Sequence, residues 1–395
     1  MSERTPILLI GDAPSAQSGL GRILRDLAVR IHTNMSDVFD VATFGYGGIG
    51  DRSLPFPQYH IEEMKDWFIP TLPNVWDNFA QGRKGVVFTI WDASRTLWLA
   101  KPKTCRDPVM REWLQTKPFK LWGYPAMDAT GPNGGLTFVI KETLLGYDRV
   151  IAYSQWAEDM ISASLTRGEA NQLNLHHLPH GIDTSVFFPR DKAKSRSIFT
   201  DTLRFNGPKL KDNEKIIGII ATNQARKDYG LAIQALAGVR DIPFRVYIQI
   251  DKLERHWSIP ALLKDYGLLE RAIVMTMPVT DEVMSHIYSA CDLTLGIGPE
   301  GFGLPIFESL ACGTPVLAGS YGGQAEWLEY SIDPVAFRIE GPYNSFRPVH
   351  DPQRWARDIT SILTEGFDFD ALLPDPLDWK NLWPRWQKWL GDGVK

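Results

Sequence analysis

Short apolar runs rich in β-branched residues alternate with helical patterns along almost the whole of this sequence, and that alternation limits the possible folds more than any other feature. "PILLIG" (6–11) reads as a buried strand leading into the loop "GDAPSAQSGLGR". Leu20, Ile23, Leu24, Leu27 and Ile31 then fall on one helical face. Further strands are expected in "VFDVATFGY", "GVVFTIWD", "FKLWGY", "DRVIAYS" and "NLHHLPHG". "SQWAEDMISASL" reads as a helix opened by Ser154 as its N-cap. From 180 to 215 the periodicity lapses into lysines, prolines and polar residues, and a domain boundary is expected there. The alternation restarts with "KIIGIIAT", "DYGLAIQALAGV", "FRVYIQI", "RAIVMTM", "DEVMSHIYSAC", "DLTLGIG", "LPIFESLAC" and "TPVLAG".

Strand–helix alternation on this scale implies parallel sheets with right-handed crossovers. A chain of 395 residues is too long for one ordinary core, so two α/β domains are expected. Their bounds are read as 1–185 and 186–374. Residues 375–395 are expected to form a helix, with Trp379, Trp383, Trp386 and Leu390 on helical spacing, that packs back on the N-terminal domain.

Composition excludes several classes. An apolar fraction of 44% with 23% charged residues rules out wholesale disorder, and a net charge of −5 provides no general attraction to nucleic acid or anionic lipid. Cys105, Cys291 and Cys312 are scattered without metal-ligand spacing, which favours a reducing, cytoplasmic setting. The opening apolar run Ile7–Ile10 is too short for a leader or a membrane span. Fourteen tryptophans are many, and seven lie between Trp67 and Trp156. They suit either an aromatic core or a cleft whose flat rings receive sugars or nucleobases.

One stretch carries specific chemistry: "PEGFGLPIFESLACGTPV", Pro299 to Val316. It follows the expected strand "DLTLGIG", and in open α/β sheets ligands sit where strands end and loops enter helices. Gly301 and Gly303 permit a sharp turn and a close ligand approach. Pro305 suits a helix start, and the amides of Phe302, Gly303 and Leu304 would face an anion with the helix dipole behind them. Glu300 lies before that anion site and Glu308 about one turn into the helix. Carboxylates hold vicinal hydroxyls well. One would grip a sugar and the other a ribose, with a diphosphate between, which is the layout of a nucleotide-sugar.

"PEGFGLPIFESLACGTPVLAGSYGGQAEWL" resembles the donor-site signature of the retaining GT-B glycosyltransferases of the family 4 type. "RVIAYSQWAEDMI", "HLPHGIDTSVFFP" and "ATNQARKDYGLAIQAL" resemble further segments of that family. The resemblance covers most of 150–330. It implies the GT-B architecture, two Rossmann-like doubly wound α/β domains facing across a cleft. It also implies a metal-independent transferase with no cofactor, whose co-substrate is a nucleotide-sugar, most often UDP-hexose such as UDP-glucose. By position, Glu300 is implied to contact donor-sugar hydroxyls and Glu308 the ribose. Lys227 matches the lysine that neutralises the leaving diphosphate. Ala221 stands where the family has an arginine, so Arg226 or Asn223 is expected to compensate. Gly19 and Gly21 match the N-terminal loop that closes over donor phosphate.

The implied reaction joins the acceptor hydroxyl to the anomeric carbon on the face that the diphosphate leaves, with retention. Asp92 in "TIWDAS" and Asp128 in "GYPAMDATG" are candidates for holding or deprotonating the acceptor, beside an ordinary turn-capping role. A saccharide, a glycolipid head group and a modified nucleobase such as a hydroxymethylated DNA base all remain open as acceptors. A nucleotide-sugar epimerase and a non-catalytic nucleotide-sugar-binding protein are the rival readings. The formal D-x-D of Asp368 and Asp370, and the cluster of His176, His177 and His180, are set aside as metal sites. Oligomeric state is left open.

Overall fold

The computed structural model describes the chain except residues 1–2, 49, 62–70, 203–209, 212, 341–343, 367–371 and 395. Trp67 and the Asp368/Asp370 pattern lie outside the described residues. The chain divides into two compact units, Met1–Pro179 with Trp383–Lys395 and His180–Leu382. The division falls six residues before the boundary read from the sequence, because the extended segment after Pro179 belongs to the second unit. Ile182, for example, pairs with Asp378.

The first unit is built on a seven-stranded parallel sheet: β1 (Thr5–Asp12), β2 (Phe39–Tyr46), β3 (Gln58–Ile61), β4 (Gly85–Ile90), β5 (Phe119–Gly123), β6 (Arg149–Ala152) and β7 (Leu175–His177). Their spatial order is β3-β2-β1-β4-β5-β6-β7. Every residue of β4 is buried, and Ile7 to Ile10 of β1 are at most 2% exposed, as expected when helices cover both faces. The strand β3, "QYHI", escaped the sequence reading because it is short, polar and at the sheet edge.

The second unit carries β8 (Lys215–Ile220), β9 (Phe244–Gln249), β10 (Ala272–Met275), β11 (Leu293–Gly296) and β12 (Val316–Ala318). They form a parallel sheet in the order β10-β9-β8-β11-β12. Both sheets reverse direction beside their first strand, at β1/β4 and at β8/β11, which is the Rossmann-like doubly wound topology. A separate antiparallel hairpin, β13 (Ala336–Glu340) with β14 (Ser345–Val349), completes the strands of this unit among the described residues.

Residues 180–215, read as a loose boundary, contain the helix Lys192–Thr202. Its apolar periodicity is weak because ion pairs do much of the holding. Lys192 and Arg196 reach Asp292 at 2.8 and 2.9 Å, while Phe199 enters a core of Ile216, Tyr247 and Ile287.

The tail forms the helix Trp379–Val394, with Pro384 inside it. In the first unit Trp386 donates its indole N–H to the Pro179 carbonyl at 3.1 Å. Arg149 stacks over the Trp389 ring at 4.1 Å and donates to the Trp389 carbonyl at 2.7 Å. A stacked, largely desolvated guanidinium of this kind contributes about 2 kcal/mol. Most of the tryptophan surplus is core: Trp76, Trp91, Trp122, Trp355, Trp379 and Trp386 are under 2% exposed or close to it.

Candidate functional site

The strongest cluster lies at the sheet reversal of the second unit. β8 and β11 are neighbours, with Leu293 opposite Ile217, so the loops that leave their carboxyl ends emerge side by side. The first loop carries Arg226 and Lys227. The second carries Pro299 to Gly303 and enters the helix Leu304–Ala311, capped by Gly303 at φ 97°.

Glycine chemistry sets how closely these loops approach. Gly298 has φ +76°, and a Cβ there would lie 2.1 Å from the Arg226 carbonyl oxygen. On the other flank, a Cβ on Gly322 would lie 2.4 Å from the Glu300 carbonyl. Gln324 is wholly buried and donates from Nε2 to the Gly319 carbonyl at 3.0 Å. Glu300 therefore sits on a turn clamped between two other segments of backbone.

Its carboxylate receives two cations. Arg226 donates to Oε2 at 3.0 Å and to the Pro299 carbonyl at 2.9 Å, while Lys227 Nζ contacts Oε1. Lys227 is 5% exposed. Two positive groups against one carboxylate leave a net positive site, which suits an anion. Among the described residues the amides of Phe302, Gly303 and Leu304 are donated to no protein acceptor. Asp228, next to Lys227, caps the helix Tyr229–Gly238 by accepting from the Leu231 amide at 3.0 Å.

Glu308 is 3% exposed and accepts from the Tyr288 hydroxyl at 2.9 Å. Phe302 directs its ring into the core against Phe307, with centroids 4.7 Å apart, and Leu304 is likewise buried. What these two residues present to the loop mouth is backbone.

Asn223 serves differently from the expectation of phosphate contact. Its side chain is fully buried and donates to the Lys252 and Trp257 carbonyls at 2.9 and 2.8 Å. Its oxygen accepts from the Trp257 amide at 3.0 Å. The amide is thus committed to pinning the 251–257 loop, and Arg226 is the group placed beside Lys227. His180, wholly buried, packs edge-on against Trp379 and Phe302 at 5.0 and 5.8 Å. No cluster of metal-ligating side chains occurs among the described residues.

A second group belongs to the first unit, at its own reversal. Gly19 opens the helix Gly19–Asn34, capped by Ser18, whose Oγ accepts from the Gly21 amide at 3.0 Å. Ser18 donates in turn to Asp12 Oδ2 at 2.6 Å, and Trp91 Nε1 donates to Asp12 Oδ1 at 3.0 Å. Gly21 packs so closely that a Cβ would meet the Ala13 carbonyl at 2.6 Å.

Asp92, just after β4, accepts from the Ser94 amide and hydroxyl at 3.0 and 2.8 Å. Burial pushes its carboxyl above the usual aspartate range against those bonds and Arg95, and the nearby Asp128 adds to the rise. The structure thus brings together Arg226, Lys227 and Glu300, and separately Asp92 and Asp128. Gly298, Gln324 and Tyr288 were missed in the sequence, and of these only Gly298, within "GIGPE", carried a legible signal there. The role of Gly322, one of the paired glycines in "YGGQAEWL", became visible only in the fold.

Residues 201–366 match the family described as Glycosyl transferases group 1. Among curated proteins, the D-inositol 3-phosphate glycosyltransferase of Mycobacterium sp. (strain KMS) is 27% identical over 224 residues, 55% of this chain and 45% of that protein. The enzyme of the same name from Acidothermus cellulolyticus is 27% identical over 231 residues, 55% and 46% respectively. This chain therefore spans under half the length of those relatives.

Among solved structures, sucrose-phosphate synthase from Thermosynechococcus elongatus superposes with TM-score 0.72 at 17% identity, covering 99% of both chains. Anabaena HepE, solved with UDP and glucose, gives 0.69 at 15% identity over 98% of this chain and 100% of that one. The chain has the GT-B fold, and residues 201–366, within its second unit, are similar to the Glycosyl transferases group 1 family.

Proposed function

We propose that this protein is a retaining glycosyltransferase that moves a hexose from UDP-hexose to an acceptor hydroxyl without a metal ion. The observation that carries the reading is the convergence of Lys227, Arg226 and the amides of 302–304 around Glu300 at the carboxyl edge of the second sheet. When the bond between the anomeric carbon and the diphosphate oxygen breaks, negative charge grows on the leaving diphosphate. Fixed cations and amides aimed at that oxygen stabilise it with little reorganisation. The acceptor oxygen bonds to the anomeric carbon on the same face, and its proton passes to the departing phosphate oxygen. Glu300 is assigned to the sugar hydroxyls and Glu308 to the ribose. Arg226 takes the part of the cation that Ala221 does not supply.

The relatives support the donor class, since HepE was solved with UDP-glucose as well as with UDP and glucose. Gly19 and Gly21 are assigned to donor-phosphate binding, and Asp92 and Asp128 to holding or deprotonating the acceptor. A saccharide, a glycolipid head group or a modified nucleobase supplies the hydroxyl.

The test is incubation with UDP-glucose and UDP-galactose, each with an acceptor panel and excess chelator. UDP release is followed by chromatography, and the product anomer by NMR. Acceptor-dependent release that survives the chelator, with an α product from an α donor, supports the reading. Epimerised donor without acceptor would establish the rival isomerase, and absence of release with every donor would leave only a nucleotide-sugar binder.

A further inference from the structure

We propose that Tyr288 is a positioning residue for the nucleotide pocket, its phenol fixing the Glu308 carboxylate in the orientation that grips the ribose. The inference rests on the reading of Glu308 as the ribose ligand. Tyr288 lies on the helix Asp281–Ala290, twenty positions before Glu308 in sequence, and no pattern in the sequence connects the two.

In the fold they meet. Tyr288 is 0% exposed and donates to Glu308 Oε2 at 2.9 Å. A glutamate has three rotatable side-chain bonds, and a diol needs both carboxylate oxygens correctly turned. A buried phenol aimed at one oxygen selects one of the available orientations before ligand arrives. The bond also supplies a donor to a carboxylate that is otherwise costly to bury. A carboxylate has about four lone-pair sites, so one bond from Tyr288 is compatible with further bonds from a ribose.

The support is itself rigid. The Thr314 hydroxyl donates to the Tyr288 carbonyl at 2.7 Å, and the Tyr288 ring packs edge-on against Phe187 at 6.2 Å. Ser309, beside Glu308, donates to the Thr294 hydroxyl of β11 at 2.8 Å. Each of these hydroxyl residues is buried, so the two helices and the strand share one dry network. Networks of that kind hold a geometry more firmly than a solvated pair.

Tyr288→Phe keeps the ring and removes only the donor. Calorimetry measures the dissociation constants of UDP and of its dideoxyribose analogue for the wild-type protein and the variant. Loss of one hydrogen bond to a charged group is expected to weaken UDP about tenfold. The analogue should bind the variant and the wild type equally, and Tyr288→Phe should have no further effect in a Glu308→Gln background. The donor KM should rise with kcat nearly unchanged, because the ribose is held alike in ground and transition states.

Equal weakening of both nucleotides would assign Tyr288 to packing alone and overturn the proposal, as would unchanged UDP affinity. Equal wild-type affinity for UDP and the analogue would remove Glu308 as ribose ligand and the proposal with it. Failure of the wild type to bind UDP at all would instead overturn the function proposed above as well.

Discussion

Replacing Lys227 by methionine isolates the charge that the proposed reaction depends on most. Methionine matches the lysine stem and fills the same space, so packing changes little. Lys227 is 5% exposed and contacts one oxygen of Glu300, while Arg226 holds the other at 3.0 Å. Breaking a buried ion pair costs about 3–5 kcal/mol when the remaining charge is stranded. Here Arg226 stays, and the Glu300 side chain retains 17% exposure, so about 1–2 kcal/mol is the expected loss of stability. For a unit of this size that lowers Tm by roughly 3–6 °C.

The chemical step should suffer more, because leaving-group charge appears only in the transition state. Removing one such stabilising group costs about 3–4 kcal/mol, or roughly 100- to 1000-fold in kcat. Donor KM should move only about threefold, since Arg226 and the loop amides still receive the diphosphate. A continuous UDP-release assay, with circular dichroism to verify folding, measures both parameters. A folded Lys227→Met variant with kcat within threefold of wild type would refute the assignment of this lysine to the leaving group. A loss confined to KM would restrict it to ground-state binding.

Asn223→Ala should destabilise the second unit by about 2–4 kcal/mol, because the Lys252 and Trp257 backbone groups lose their buried partners. Urea unfolding measures this, and a variant with wild-type stability but abolished donor binding would restore the expectation of direct phosphate contact. Asp92→Asn tests the buried carboxyl of the first unit. Its folded pKa is raised from 3.8, so the favourable contribution is present below the unfolded value and is lost as pH rises through the folded one. The asparagine variant should therefore be more stable than wild type at neutral pH, with the advantage vanishing below about pH 4. Thermal unfolding across pH checks the sign, and a destabilised variant at pH 7 would show that the charged form is needed for the fold.

Local pattern carried a large share of this protein. The β8-to-β12 alternation was legible because strands buried on both faces are continuous apolar runs, and the helix after Gly303 because glycine and proline mark its start. Glu300 and Glu308 were found by their spacing to that turn, and Lys227 only through the family resemblance. Other elements were invisible for stated reasons. The helix Lys192–Thr202 depends on ion pairs to Asp292, a hundred residues away from Lys192, while β3 and β13 alternate polar and apolar residues over only four or five positions and bury none of them.

The sequence alone determined two parallel α/β units and a glycine turn able to present amides to an anion, because those follow from periodicity and from backbone freedom within a few residues. Tertiary structure decided which side chains share a site. It placed Arg226 on Glu300, committed Asn223 to a loop, joined Tyr288 to Glu308 and put most of the tryptophans in the core. Hydrogen bonds and ion pairs act over about 3 Å whatever the separation along the chain, so their partners become known only when the chain has folded.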